Sequence, residues 1–404
     1  MQKFTGREYL KIDIANNFGL DKADWGDRIA WFDQNEHQLE TLVQLADTPA
    51  LYYAGVKAWR DVEAGKPTGY MISLDATSSG LQLLAALTGD RSASELCNVV
   101  DTGARRDAYT GIYGHMVAEL GDVAKIDRDQ CKDAVMTSLY GSTAMPKQVF
   151  GDGALLDLFY KTMKDLAPAA WDLNETFLAI WDPTATSHDW VLPDNYHVHI
   201  KVMNRVKTTV HFLNQPFEVF YNENLPTDSG RSLSANTIHS LDGMIVRELT
   251  RRCDFDPARV KRVRDIIEGT PVPAIVLTKK EQLHNDKTLA ALWAHYKESN
   301  YLSARVLDYI DEDNINLLAL KPVRDLLDSL PAKPFKVVSI HDCFRVLPNY
   351  GDDLRSQYNN QLMLIARSNI LGSIISQLVG RRVQIGKLDP TLWVDIAKAE
   401  YALS

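Results

Sequence analysis

"VSIHDCFRVL", residues 338–347, sets an apolar run, a His-Asp pair and a second mostly apolar run in succession. This reads as a buried hairpin with His341 and Asp342 at its tip. A carboxyl at the end of a buried strand is costly unless it meets a cation, a donor or solvent. The same situation occurs far upstream in "YMISLDATSSGLQLLAALTG" (70–89). There a short apolar strand ends on Asp75, and a helix follows that Ser78 or Ser79 can cap and Gly89 ends. One such Asp is ordinarily a turn or helix cap. Two of them, at the ends of adjacent strands, could hold divalent metal between them. Two Mg²⁺ ions bound by carboxylates would activate an attacking oxygen and stabilise a leaving one, as phosphoryl transfer requires.

A third element lies between these two. "RDQCKDAVMTSLYG" (128–141) places Arg128, Lys132, Met136 and Tyr140 at steps of four, one slowly drifting helical stripe. Asp127 is the expected N-cap, with Gln130 three helical positions on. A solvated Arg-Lys face is the ordinary reading. Cations near a helix N-terminus, with an aromatic further along, would also suit a triphosphate and a stacked base.

Outward from these stretches, residues 6–60 and 91–180 read as helices. Residues 188–222 alternate and are rich in Val, Tyr and Phe, which predicts strands and hairpins. "NENLPTDSGRS" is a loop, 236–250 a helix and 256–330 a mostly helical block. A helical tail follows the hairpin. The class is α+β, without internal repeats or a flexible linker. At 404 residues and 45% hydrophobic, the chain can bury a large core. The sequence has no signal peptide and no apolar run of membrane-spanning length, so no membrane partner is expected. Four scattered cysteines without a C-x-x-C pair argue against zinc and for reduced thiols. A net charge of -9 argues against strong non-specific adhesion to duplex DNA. Any nucleic-acid surface must be local, with 201–207 and 247–265 as basic candidates.

In this order, the three stretches resemble motifs A, B and C of the single-subunit RNA polymerases of bacteriophages and mitochondria. Motif A is "DATSSGLQ" (75–82), motif B "RDQCKDAVMTSLYGS" (128–142) with R-x3-K-x7-Y-G spacing, and motif C "IHDCF" (340–344). Weaker similarity in 9–22, 106–117, 236–243 and the C-terminal tail extends the resemblance over most of the chain. It implies a right-hand polymerase with an antiparallel palm sheet and helical fingers. The palm would be 1–90 and 241–404, the fingers 91–240, and 253–334 a helical insertion. Asp75 and Asp342 would hold two Mg²⁺ ions, helped by the Ala76 carbonyl. Arg128 and Lys132 would grip the incoming triphosphate, and Tyr140 would sit beside its sugar and base. His341 would contact the primer end, His239 the minor groove of the hybrid, and Tyr109 is a further substrate-site candidate. The family often carries a basic residue where Asp133 stands, so the triphosphate contacts would differ slightly.

The family implies a DNA template, an RNA transcript and NTP substrates. Related DNA polymerases share the motifs but carry a Glu, five residues after the first metal Asp, that blocks a ribose 2′-OH. Here that position is Gly80, and Cys343 replaces the Glu that follows their His-Asp. Both departures favour ribonucleotides. The alternatives are a DNA polymerase or primase of the superfamily, or a non-catalytic nucleic-acid-binding subunit. No thumb is recognisable, and "KFTGR" (3–7) has Lys3 where the template-touching Gly-Arg motif needs Thr or Asp. A second, smaller subunit is therefore expected to supply both, as in the heterodimeric middle-gene polymerases of certain lytic phages, whose larger subunit this chain resembles. The segment 193–239 is short for a promoter-reading hairpin, so recruitment by a single-stranded-DNA-binding factor is expected, in the cytoplasm of an infected bacterial host.

Overall fold

Seven strands form three separate antiparallel sheets among the residues described, which are 1–121, 126–274 and 276–404 of a computed structural model. They are β1 (Ile72–Asp75), β2 (Ser187–Val191), β3 (His197–Lys201), β4 (Met203–Phe212), β5 (Gln215–Asn224), β6 (Val338–Ile340) and β7 (Cys343–Val346). Helices make up most of the remainder, as the α+β reading expected. Gly6–Ala15, Pro49–Glu63, Ala108–Leu120 and Arg128–Ser138 fall where helical spacing placed them. No single helix among the described residues is long and apolar enough to cross a membrane.

The sheet that positions the site has the order β1-β7-β6. Ile72 pairs with Val346, Leu74 with Phe344 and Asp75 with Cys343. Ile72, Leu74, Phe344 and Val346 are buried, so one face of β1 and β7 packs inward. Behind it lie the helices Ser79–Thr88, buried from Gly80 to Thr88, and Gly351–Arg367. Tyr358 joins the layers: its ring lies 5.8 Å from that of Phe344, and its hydroxyl donates to Gln82 Oε1 at 2.7 Å. Residues 402–404 close the other edge. Ser404 and Asp75 exchange backbone hydrogen bonds at 2.9 and 3.1 Å, and Thr77 N–H donates to Ala402 O at 3.3 Å.

The hairpin at 338–347 forms, but only half of it is buried. β6 is exposed along its whole length, with Val338 at 46% and Ile340 at 54%. It is an exposed edge strand of three residues, so its apolar side chains record β propensity rather than core packing.

The block expected as an insertion has a core of its own. Val263, Leu289, Val306, Ile310, Val323 and Leu326 belong to a cluster separate from the main one. A buried ionic junction attaches it. Glu248 accepts from Ala304 N at 2.8 Å and Arg251 Nη1 at 2.7 Å, and Asp194 accepts from Arg247 Nε at 2.6 Å and Arg251 Nη1 at 3.0 Å. The helix bearing this junction, Ser232–Cys253, runs unbroken across residue 240, where a domain boundary was expected. β4 and β5 form a ribbon that projects from the body, and Leu213 and Asn214 take left-handed conformations (φ 50° and 61°) to make its two-residue turn.

Thr5 of "KFTGR" is a helix cap. Its side chain accepts from Glu8 N–H and Glu8 returns to the Thr5 backbone, a local start signal for Gly6–Ala15. All four cysteines are free thiols.

Candidate active site

β1 and the β6–β7 turn bring Asp75 and Asp342 together. Ala76 N–H donates to Asp342 O at 3.2 Å, locking the turn against the end of β1. The turn has only two residues, His341 and Asp342, and His341 adopts φ 56°. A left-handed residue is what a two-residue hairpin turn calls for, and His adopts it more readily than most side chains.

A cleft of about 870 Å³ opens over these two carboxylates. Asp75, Ala76, Gly80, Tyr109, Arg128, Lys132, Tyr140 and Asp342 all line it. A second cleft of about 470 Å³ adjoins it, shares Ser79, Tyr140 and Asp342, and is bordered by His239 and His341. Every residue expected from the sequence to serve the site thus borders one or both clefts.

Burial, followed by the charge of Asp342, pushes the Asp75 carboxyl up to about 6. Asp75 is accessible along the cleft while its carboxyl is hemmed in by protein elsewhere. Two carboxylates held this close repel, and a divalent cation between them would relieve the repulsion. The donor set suits Mg²⁺. Among the described residues no group of three or more His, Cys, Asp or Glu forms a ready cage. Mg²⁺ needs no such cage, since it is usually held by one or two carboxylates with water and substrate phosphates.

The helix Arg128–Ser138 supplies the cationic wall. Asp127 caps it, accepting from Asp129 N–H and Gln130 N–H. Arg128 is already engaged: Nη2 lies 2.6 Å from Asp107 Oδ2 and Nε donates to Thr110 Oγ1 at 3.0 Å. Burial works to raise the Asp107 carboxyl, yet the bonds from Thr110 and Arg128 hold it below the usual range. Lys132 has no acidic partner among the described residues. Its Nζ stands 5.7 Å from the Tyr109 ring centre, presenting a free ammonium to the cleft.

Tyr140 lies two residues past the end of this helix, between the clefts. Its ring is 5.0 Å from that of His239. Burial, followed by the charges of Asp242, Tyr109 and Asp342, raises its phenol further above the ordinary value. A Cβ built on Gly80 would stand 2.4 Å from the Tyr140 hydroxyl oxygen. Glycine is therefore what lets the tyrosine close over the start of the Ser79–Thr88 helix. Ser78 precedes that helix but does not cap it, and its Oγ lies 3.4 Å from the Tyr109 hydroxyl.

Arg105, Asp242 and Asp13 are among the charged groups not singled out from the sequence. Arg105 lines the larger cleft, and burial lowers its guanidinium, opposed by Asp21, Asp107, Asp24 and Asp75. Asp242 lines the smaller cleft, and burial followed by Asp342 pushes its carboxyl up to about 7. Asp13, buried behind β1, accepts from Ser73 N–H at 2.7 Å and the Tyr70 hydroxyl at 2.6 Å. The spacing of Asp242, three residues after His239 on one helix, is a local signal that could have found it.

Residues 3–163 match the family model described as DNA-dependent RNA polymerase. The chain is similar to the DNA-directed RNA polymerase of Pseudomonas phage phiKMV, at 29% identity over 34% of this chain and 21% of that protein. It is likewise similar to a probable DNA-directed RNA polymerase of Neurospora crassa (29%, covering 34% and 18%) and to the mitochondrial enzyme of Schizosaccharomyces pombe (29%, covering 34% and 14%). The match thus spans about a fifth or less of the length of these curated relatives. It bears out the resemblance read from motifs A and B, but it is narrower than expected. The stretch with Asp342 lies outside 3–163, and its link to Asp75 comes from the β1–β7 pairing.

Proposed function

We propose that this chain carries the catalytic centre of a DNA-directed RNA polymerase, extending an RNA 3′ end from NTPs on a DNA template. One observation carries the reading. Asp75, Asp342, Lys132, Arg128 and Tyr140, far apart in sequence, line one cleft in which carboxylates face cations. β1, β6, β7 and the helices behind them would be the palm, and the helices around Arg128–Ser138 the fingers.

Asp75, Asp342 and the Ala76 carbonyl would hold two Mg²⁺ ions, whose chemistry is to make the attacking hydroxyl more nucleophilic and to neutralise charge on the transferred phosphoryl group. Lys132 meets the triphosphate with its free ammonium, and Arg128 does so while Asp107 fixes its direction. Tyr140 packs against the sugar and base of the incoming nucleotide. Gly80 leaves no side chain beside that sugar, and the Tyr140 hydroxyl fills the space a side chain would take. That combination supports ribonucleotides over deoxyribonucleotides as substrate.

The elements that hold the hybrid and touch the template would be supplied by a second, smaller chain, and recruitment to DNA by a single-stranded-DNA-binding factor. Primer extension on a DNA template tests the reading, with rNTPs against dNTPs and with candidate partners added. Asp342→Asn should abolish synthesis while template binding survives. Unchanged synthesis in that variant would sink the metal assignment.

A further inference from the structure

The two clefts differ in charge. Lys22, Arg105, Arg128 and Lys132 line the larger one. Among the described residues no Lys or Arg lines the smaller one, which is bordered by one face of the Ser232–Cys253 helix: His239, Asp242, Gly243 and Val246. These positions follow i, i+3, i+4 and i+7, so they form one stripe. Asp242 has no hydrogen-bond partner or cation among the described residues, and the nearest charge acting on it is the like charge of Asp342. A half-buried carboxyl without a partner is unfavourable, and what occupies the cleft must provide one.

The occupant follows from the chemistry, and this step rests on the proposed polymerase reading. In-line displacement puts the attacking oxygen opposite the leaving pyrophosphate. The cations place the triphosphate in the larger cleft, so the strand being extended approaches Asp342 from the smaller one. Phosphates are repelled by Asp242, and the arginine next to Gly243, Arg247, is already bonded to Asp194 through Nε and Nη2. The groups on a nucleic-acid strand that suit this carboxyl are ribose hydroxyls. A 2′-OH both donates and accepts, so it pairs with the carboxyl in either protonation state.

We propose that Asp242 is a binding residue for the growing strand, reading the 2′-OH of a ribose at or next to its 3′ end. It thereby selects an RNA end over a DNA end, a discrimination separate from the choice of incoming nucleotide at Gly80 and Tyr140.

The test uses the full chain, with any partner that supports extension, and primers that differ only by single 2′-deoxy substitutions at the last three nucleotides. Wild type should lose about tenfold in kcat/KM for one of these positions, the scale of one hydrogen bond to a charged group. Asp242→Ala should bring the ribo primer down to the deoxy level and collapse the ratio to near one. Asp242→Asn, which can still bond a hydroxyl, should keep part of it. Anisotropy binding of the same primer-template hybrids, without NTPs, should give the same ratios. If Asp242→Ala weakens both primers equally and leaves the wild-type ratio unchanged, the inference is overturned while the polymerase reading stands. If wild type extends no primer yet binds the ribo end more tightly in an Asp242-dependent way, the polymerase reading falls and ribose recognition stands.

Discussion

Gly80→Ala adds a single methyl group to the site, and its consequences can be followed through the geometry. The new Cβ would stand 2.4 Å from the Tyr140 hydroxyl oxygen, 2.8 Å from Cζ and 3.3 Å from Cε1. Ordinary carbon contacts are about 3.5 Å, so the tip of Tyr140 must retreat by about 1 Å. Overpacking costs about 1–3 kcal/mol. Against this, Ala in place of Gly inside the Ser79–Thr88 helix is favourable by about 1 kcal/mol. Gly80 does not need a left-handed backbone, so no strain is added. The net change in stability should be within about 2 kcal/mol, a small shift in Tm. Activity should respond far more. If Tyr140 orients the nucleotide as proposed, a displacement of about 1 Å can cost about 100-fold. The assay is single-nucleotide extension with kcat and KM measured separately, alongside thermal unfolding. Tyr140→Phe removes the atom at 2.4 Å, so the double variant should recover part of the loss, a coupling that a double-mutant cycle reads directly. A Gly80→Ala protein with unchanged Tm and unchanged kcat/KM would refute the close packing of Tyr140 on this helix. The same geometry bears on Gly80→Glu. It should first displace Tyr140 and slow both rNTP and dNTP use, and only then shift the ratio toward dNTPs.

Asp13→Ala should lower stability by about 2–5 kcal/mol, because Ser73 N–H and the Tyr70 hydroxyl each lose a buried acceptor. Denaturant unfolding measures it, and a loss under 1 kcal/mol would show that β1 does not depend on this buttress. In metal-free protein, Asp13, Asp75 and Asp242 carry folded values of about 6, 6 and 7, above about 3.9 in an unfolded chain. The folded state therefore binds more protons between about pH 4 and 7, and these groups remove stability as pH rises through that window. Burial lowers His188 and His295, which act with the opposite sign, so the test compares variants: from pH 5.5 to pH 8 in chelator, Tm of Asp242→Asn should fall less than that of wild type, and an identical profile would contradict the raised value. Mg²⁺ should raise Tm at pH 8 more than at pH 5.5, since protons compete for Asp75, and Asp75→Asn should remove most of that response.

Much of the site could be read from the chain because its parts are local. Asp75 ends a strand that leads into a helix, His341 and Asp342 form a two-residue turn, and Arg128 and Lys132 share a helical face capped by Asp127. Each depends on neighbours within a turn or two, which sequence spacing reports directly. The groups it left unnoticed have no such mark. Asp107 becomes the partner of Arg128 only because two helices meet, and Asp13 supports β1 from a helix some sixty positions away.

By itself, then, the sequence determined the class of the fold, the order of its elements and the local geometry of three motifs, because hydrophobic period, caps and turn residues act over short range. The tertiary structure decided which of those motifs share a cleft. It decided that β6 stays exposed, that one helix crosses the expected boundary at 240, and that Asp242 faces a cleft that no Lys or Arg lines among the described residues. These follow from β1 pairing with β7 across most of the chain and from the packing behind that sheet. Burial and charge pairing between distant residues are properties of that packing, and no short stretch of sequence contains them.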